Sequence, residues 1–216
     1  MPHWLFQDVP TLKDVLYYEK LPSYDTVETV FKAYKDVIFL FAHENCIYQF
    51  WNKEYIECLA NEIKKRVGNK LVLEVAAGDG MLSYWLRNYG VNIIATDSGE
   101  WKITPRNHVE IIDAVSAIKK YKPIMVIASW LPYQEELDIQ IFNQKVPYII
   151  LIGEENGACG SEKFWETEYW KKVGYERVWL DECDRYNICR TDYCFGDICY
   201  FIHSTTGLYI LKHKYA

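Results

Sequence analysis

The sequence predicts an α/β fold built on a mostly parallel, doubly wound sheet, and two stretches carry that expectation. The first is Leu71–Trp101. It reads as an apolar strand (Leu71–Val75), a small-residue turn (Ala76–Gly80), an amphipathic helix (Met81–Tyr89), a stop at Gly90 and a second apolar strand (Val91–Thr96). Two buried strands joined through one helix need a crossover, so they should lie parallel with a right-handed connection. The second stretch holds the continuous apolar runs Pro123–Ala128 and Val146–Ile152, which read as further buried strands. In such a sheet ligands bind beyond the carboxyl ends of the strands, where Ala76–Gly80 and Asp97 fall.

Ahead of the first strand, Met1–Pro22 is irregular and aromatic and reads as an arm packed on the body. A helix is expected after Asp25, since Asp25-Thr-Val-Glu28 has capping-box spacing, and it should run to about Lys35. Val37–Ala42 either extends this helix or forms a small strand. Asn52–Val67 is a stronger helix, with Tyr55, Ile56, Leu59, Ile63 and Val67 at helical spacing and Gly68 as its stop. Beyond the first two strands, Val109–Ile112 reads as a third, followed by a helix over Ala114–Tyr121 that Asp113 can cap. Glu162–Lys172 reads as one helix ending at Gly174, and Tyr175–Leu180 as a sixth strand. A turn at Thr205-Thr-Gly207 should return Gly207–His213 as an antiparallel last strand, giving seven in all. Residues 1–68 thus form an arm and helical cap packed on a core of residues 69–216, within one compact domain.

Composition narrows the function classes. Half of the 216 residues are hydrophobic, enough for a full core, and the formal charge of −6 opposes nonspecific nucleic-acid binding. Structured RNA stays open only through a local basic patch. No run reaches the length of a membrane span, and the first residues lack the layout of a secretory signal. Seven cysteines without close pairing suggest reduced thiols in a cytoplasmic chain. Cys183, Cys189, Cys194 and Cys199, with His203 and His213, lack the C-x2-C turn that grips zinc, so no metal is expected.

The turn Glu74-Val-Ala-Ala-Gly-Asp-Gly80 lets backbone approach a ligand at Gly78 and Gly80. A dinucleotide fingerprint would place a third glycine where Ser83 stands, and Asp79 would repel a diphosphate. Acidic residues suit a cationic cofactor better, and Asp97 sits where a carboxylate accepts from both ribose hydroxyls.

On these residues the stretch 71–155 resembles the class I S-adenosylmethionine-dependent methyltransferases, whose first motif is an acidic residue followed by alternating small residues and glycines. Glu74, Ala76, Gly78 and Gly80 match it, with alanine at position 76 where the family often has glycine. The resemblance implies a Rossmann-like core, S-adenosylmethionine as cofactor, Asp97 as the ribose acid and Asp113-Ala114 at the adenine. It also implies that Ser98 and Trp101 border the adenine and that Ser129 stands near the transferable methyl group. Trp101 has a plain surface or packing role as its rival.

At the family's fourth motif this chain has Ser129-Trp-Leu-Pro-Tyr133, lacking the amide or carboxylate of Asn/Asp-Pro-Pro-Tyr/Phe. Nucleobase amino methylation by that route is therefore not expected. Tyr48, Trp51, Trp130 and Tyr133 are candidates for the substrate side, with core anchoring as the rival for the first two. No base declares itself. Tyr133, Glu154 and His43 are the candidates for proton removal. The implied activity is in-line methyl transfer to a small-molecule or protein acceptor. A catalytically silent cofactor-binding or interaction module, or a nucleotide-dependent enzyme of similar topology, is the alternative.

Overall fold

A computed structural model describes residues 20–155, 159–192 and 204–212. Seven strands form one sheet in the order β3-β2-β1-β4-β5-β7-β6. They are β1 (Val72–Val75), β2 (Ile93–Asp97), β3 (Glu110–Ile111), β4 (Met125–Ser129), β5 (Tyr148–Glu154), β6 (Tyr175–Trp179) and β7 (Ser204–Leu211). The pairs among β3, β2, β1, β4 and β5 are parallel, whereas β7 runs antiparallel to both of its neighbours. This is the doubly wound sheet with a reversed last strand that the sequence leads one to expect.

The strand period of two sorts side chains onto two faces. Val72, Met125, Ile127, Ile150 and Leu208 pack with helices α2 (Lys53–Val67) and α3 (Met81–Asn88), through Tyr55, Leu59, Leu82 and Trp85 among others. Leu73, Val75, Val126, Ala128 and Tyr209 face the other way. They meet α4 (Ala114–Tyr121), α5 (Leu137–Phe142), α6 (Glu162–Glu166) and α7 (Tyr169–Lys172). Covering both faces explains why the central strands read as unbroken apolar runs. Each buried aliphatic or aromatic side chain contributes about 1.5–3 kcal/mol.

Helix α1 (Tyr24–Glu44) absorbs Val37–Ala42, so that run is helix and not strand. Its path bends at Tyr34 (φ −131°, ψ 25°), which turns Val27, Val30, Phe31, Ile38 and Ala42 onto a small core of their own with Phe50 and Ile188. Its cap is Ser23, whose Oγ accepts from Thr26 N–H at 3.3 Å, so Asp25 lies in the first turn instead of before it. The cap of α2 is Asn52, whose Oδ1 accepts from Tyr55 N–H at 2.9 Å, and Gly68 stops it at φ +59°. Among the described residues no helix is long and apolar enough to cross a membrane.

Four further expectations need correcting. The expected helix over Glu162–Lys172 is broken into α6 and α7 by Glu168 at φ +46°. Thr205, Thr206 and Gly207 lie inside β7, opposite Gly153, Ile152 and Leu151, and form no turn. Helix α5 and the short α8 (Asp181–Asp184) are additional elements, too brief to show a helical period. Cys58 on α2 and Cys183 on α8 are joined as a disulfide, with Cα atoms 5.4 Å apart, which overturns reduced thiols for this pair. That pairing also removes Cys183 from any zinc set. Cys194, Cys199, His203 and His213, like Trp4, Phe6, Tyr17 and Tyr18 of the arm, lie outside the described residues.

Glu74 points to the α2/α3 side of β1 and is 1% exposed. Ser83, where a dinucleotide fingerprint would have glycine, donates its N–H to Glu74 Oε2 at 3.0 Å and also its Oγ–H. Burial pushes the Glu74 carboxyl up to about 8, against the opposing pull of the Ser83 bonds. The folded chain therefore holds this proton more tightly than the unfolded chain, and stability falls as pH rises from the ordinary glutamate range to about 8. Burial also raises the Asp138 and Asp184 carboxyls, so the difference between two proteins isolates Glu74. In thermal melts, Glu74→Gln should lose less stability than the parent between pH 5.5 and 8. Identical pH dependence in both proteins would exclude a buried, protonated Glu74.

Gly80 has φ +75°, and a Cβ there would stand 2.6 Å from Val109 Cγ2. Gly80→Ala should cost about 2–4 kcal/mol in chemical denaturation, the sum of left-handed strain and overpacking. A loss below about 0.5 kcal/mol would show that the Val109 segment yields freely.

Candidate cofactor and acceptor site

The carboxyl ends of β1, β2 and β4 meet around the turn Ala76–Gly80. Asp97, last residue of β2, fastens this turn. Its Oδ2 accepts from Gly78 N–H at 2.9 Å and its Oδ1 from Gly99 N–H at 2.7 Å. Each carboxylate oxygen keeps a second lone pair, so two acceptor positions remain for a ligand's hydroxyls. Thr96 braces the same turn: Oγ1–H donates to Glu74 O at 2.9 Å, and its carbonyl accepts from Ala77 N–H at 3.0 Å.

Asp79, read from sequence as hostile to a diphosphate, is occupied locally. Its Oδ1 accepts from Met81 N–H at 3.0 Å, and its Oδ2 lies 3.6 Å from Arg106 Nε. Desolvation pushes its carboxyl up, opposed by the Met81 and Arg106 contacts. Two N–H groups of the first turns of α3 are thereby taken by side chains of this chain: Met81 by Asp79 and Ser83 by Glu74. The start of α3 presents carboxylates where a phosphate site needs bare donors.

Three adjoining clefts share Ala76 as a common wall. The inner one, about 590 Å3 to its open mouth, is lined by Tyr48, Gln49, Trp51, Glu74, Gly78 and Ser129 among others. The middle one, about 720 Å3, takes in Tyr48, Asp97, Trp101, Trp130, Tyr133 and Arg190. The outer one, about 800 Å3, has Asp97, Ser98, Trp101, Asp113, Ala114 and Glu135. Asp113 caps α4 through Ser116 N–H at 2.9 Å, and the Ser116 bonds hold its carboxyl below the usual range. The structure thus gathers Glu74, Ala76, Gly78, Asp97, Ser98, Trp101, Asp113, Ala114 and Ser129 along one continuous crevice. Gly80 stands behind it, against Val109.

Three non-glycine residues of the crevice have left-handed backbone: Cys46 at φ +54°, Ala76 at φ +51° and Trp130 at φ +55°. Such a conformation costs about 1–2 kcal/mol per residue. At Ala76 this explains why glycine suits the position. At Trp130 the chain turns sharply out of β4, and Trp130 N–H donates to Ile152 O at 2.7 Å. Its ring stacks on Tyr48, with centroids 5.5 Å apart, and the Arg190 guanidinium lies 4.1 Å from the Tyr48 centroid.

The candidate bases are not brought together. His43 is exposed near the end of α1 and lines none of the three clefts. Glu154 is buried in a separate cleft of about 340 Å3, where Thr191 Oγ1–H donates to it at 2.7 Å. Burial pushes its carboxyl up, opposed by the Thr191 bond and Arg190. Tyr133 does line the middle cleft, and its Oη–H donates to Glu162 at 3.2 Å.

Sequence reasoning missed Gln49 and Arg190. Gln49, 4% exposed, accepts from Trp130 Nε1–H at 2.9 Å and donates to Asn187 Oδ1. Its only signal was a polar residue set between the aromatics Tyr48, Phe50 and Trp51. Arg190 carried no signal at all.

No family model and no curated protein sequence matches the chain. Several solved structures are similar to it at low identity. A magnesium protoporphyrin IX methyltransferase from Synechocystis with bound S-adenosylmethionine is 12% identical, covering 90% of this chain and 99% of its own, with a TM-score of 0.47. A complex from E. cuniculi responsible for methylating the eRF1 translation termination factor is 14% identical, covering 73% and 94%, with a TM-score of 0.47. A precorrin-6y C5,15-methyltransferase from Geobacter metallireducens is 13% identical, covering 74% and 89%, with a TM-score of 0.42.

Proposed function

We propose that this chain is an S-adenosylmethionine-dependent methyltransferase acting on a small-molecule or protein acceptor. The observation that carries the reading is the charge and bonding of the crevice. Asp79 and Glu74 engage the Met81 and Ser83 N–H donors at the start of α3, while Asp97 holds two acceptor positions between the inner and outer clefts. A dinucleotide would bring its pyrophosphate to the same helix start, where Asp79 and Glu74 already engage two of the N–H donors. That disfavours the nucleotide-dependent alternative. S-adenosylmethionine has no phosphate, and its ammonium and sulfonium are cations.

The residues fit that molecule in order along the crevice. Glu74, Gly78 and Ser129 frame the methionine end, Asp97 the ribose, and Ser98, Trp101, Asp113 and Ala114 the adenine. Bound there, the sulfonium supplies a methyl group already activated for displacement. The chain's own residues must then exclude water and align the acceptor. Tyr48, Trp130 and Tyr133 do so from the middle cleft, and Gln49 holds the Trp130 indole in place.

Calorimetric titration tests the reading. Micromolar binding of S-adenosylmethionine and of its demethylated product is expected, with no heat from NAD. Asp97→Ala should weaken cofactor binding by about 1.5–3 kcal/mol, the scale for losing charge-assisted hydrogen bonds. Unaltered affinity in that variant would remove Asp97 from the ribose site.

A further inference from the structure

The middle cleft constrains the acceptor, on the assumption that the methyltransferase reading holds. Four aromatic side chains, Tyr48, Trp101, Trp130 and Tyr133, line it, with Leu131, Ile103 and Pro132 supplying further apolar wall. Its mostly apolar wall with a few polar groups is the lining of a small-molecule site. Trp101 and Tyr133 are 56% and 45% exposed, so the open side of the cleft carries rings as well.

Proton acceptors are scarce in it. Among the described residues lining this cleft, the titratable groups are Tyr48, Asp97, Tyr133, Cys159 and Arg190. Asp97 already accepts from Gly78 and Gly99 and faces the ribose. Burial pushes the Cys159 thiol up to about 12, so it keeps its proton at neutral pH. Tyr133 donates its own proton to Glu162, and Tyr48 is packed against Trp130 and Arg190. With no free base among the described lining residues, an acceptor that is nucleophilic without help fits this cleft best.

Charge selects among such acceptors. Among the described residues lining the middle and outer clefts, Asp97, Glu100, Asp113 and Glu135 stand against Arg190. A carboxylate or thiolate acceptor would enter against that balance, whereas a neutral acceptor that becomes cationic is favoured by it. Aromatic walls favour a cationic product in the same sense.

We propose that the middle cleft takes a small planar heteroaromatic compound and methylates it on a ring nitrogen that carries no proton at neutral pH. The nitrogen lone pair forms the new N–CH3 bond as the S–CH3 bond breaks. The breaking pair stays on sulfur, which becomes a neutral thioether, and the positive charge passes to the ring. No proton leaves and no base is needed.

The test uses the full chain, methyl-labelled S-adenosylmethionine and parallel panels: pyridines and imidazoles, benzoates, phenols, alkylamines, thiols and mixed peptides. Calorimetry on the same sample comes first. Absence of cofactor binding would overturn the methyltransferase reading itself. With binding established, label should enter the pyridines or imidazoles, giving products whose positive charge persists at alkaline pH. Across pyridines of different basicity, the inflection in kcat/KM should follow the acceptor's own pKa. Tyr133→Leu, at a half-exposed position, should lower kcat about five- to tenfold, the scale of a cation–π wall lost as charge develops on the ring. Transfer confined to benzoates, thiols, phenols, alkylamines or peptides would overturn the inference. So would binding without transfer to any heteroaromatic compound, or an inflection that stays fixed as the acceptor changes.

Discussion

Glu74 on β1 and Asp97 on β2 grip the turn that follows β1, and the arrangement of the crevice depends on that double hold. Asp97 takes Gly78 N–H, while Glu74 takes the N–H and hydroxyl of Ser83 one turn into α3. The Asp97 bonds are charge-assisted and so stronger than neutral ones, and a buried carboxyl such as Glu74 left unpaired would be expensive. The turn is therefore over-determined from two strands. That is what allows Ala76 to remain in left-handed backbone at the point where all three clefts meet. Glu74 and Asp79 together engage two N–H donors that a phosphate at this helix start would use.

A second strained point lies across the crevice. Trp130 turns out of β4 with positive φ and is held by its backbone bond to Ile152, its indole bond to Gln49 and the Tyr48 ring. A bulky residue in this conformation persists only where its surroundings determine it. Here those surroundings come from two distant parts of the chain. This wall of the middle cleft is thus assembled by the tertiary fold, although the residues composing it lie in short local segments.

This division explains what the sequence could disclose. The central strands were readable because burial on both faces leaves unbroken apolar runs, and Asp113 and Gly68 were readable because capping is local. Asp97 and the Ala76–Gly80 turn were readable because a crossover fixes where a strand's carboxyl end must lie. Gln49 and Asn187 stand 138 positions apart, and Cys58 and Cys183 stand 125 apart. No periodicity or spacing rule reaches such pairs. The broken helix at Glu168 was hidden for a related reason. Its two halves bring Trp165 and Trp170 around Arg177, and that packing prevails over the local preference for one continuous helix.

The described part of the cap acts as a fixed wall of the crevice. Residues 48–52 run beside residues 186–190: Phe50 N–H donates to Ile188 O at 2.9 Å, Arg190 N–H to Tyr48 O at 3.0 Å, and Gln49 bridges Cys189. Asn52 Nδ2 donates to Tyr186 O at 2.7 Å, and Tyr55 Oη shares a hydrogen bond with Thr206 Oγ1 at 2.8 Å. The disulfide adds a covalent tie between α2 and α8. A lid that swings on each turnover would have to break several of these bonds at once, most of them buried. Tyr48 and Trp51 are consequently pre-set against the inner cleft, and Tyr48 carries Trp130 and Arg190 with it. The proposed displacement at a sulfonium would need alignment and dryness above all. A wall fastened in this way provides both without a conformational step at this surface.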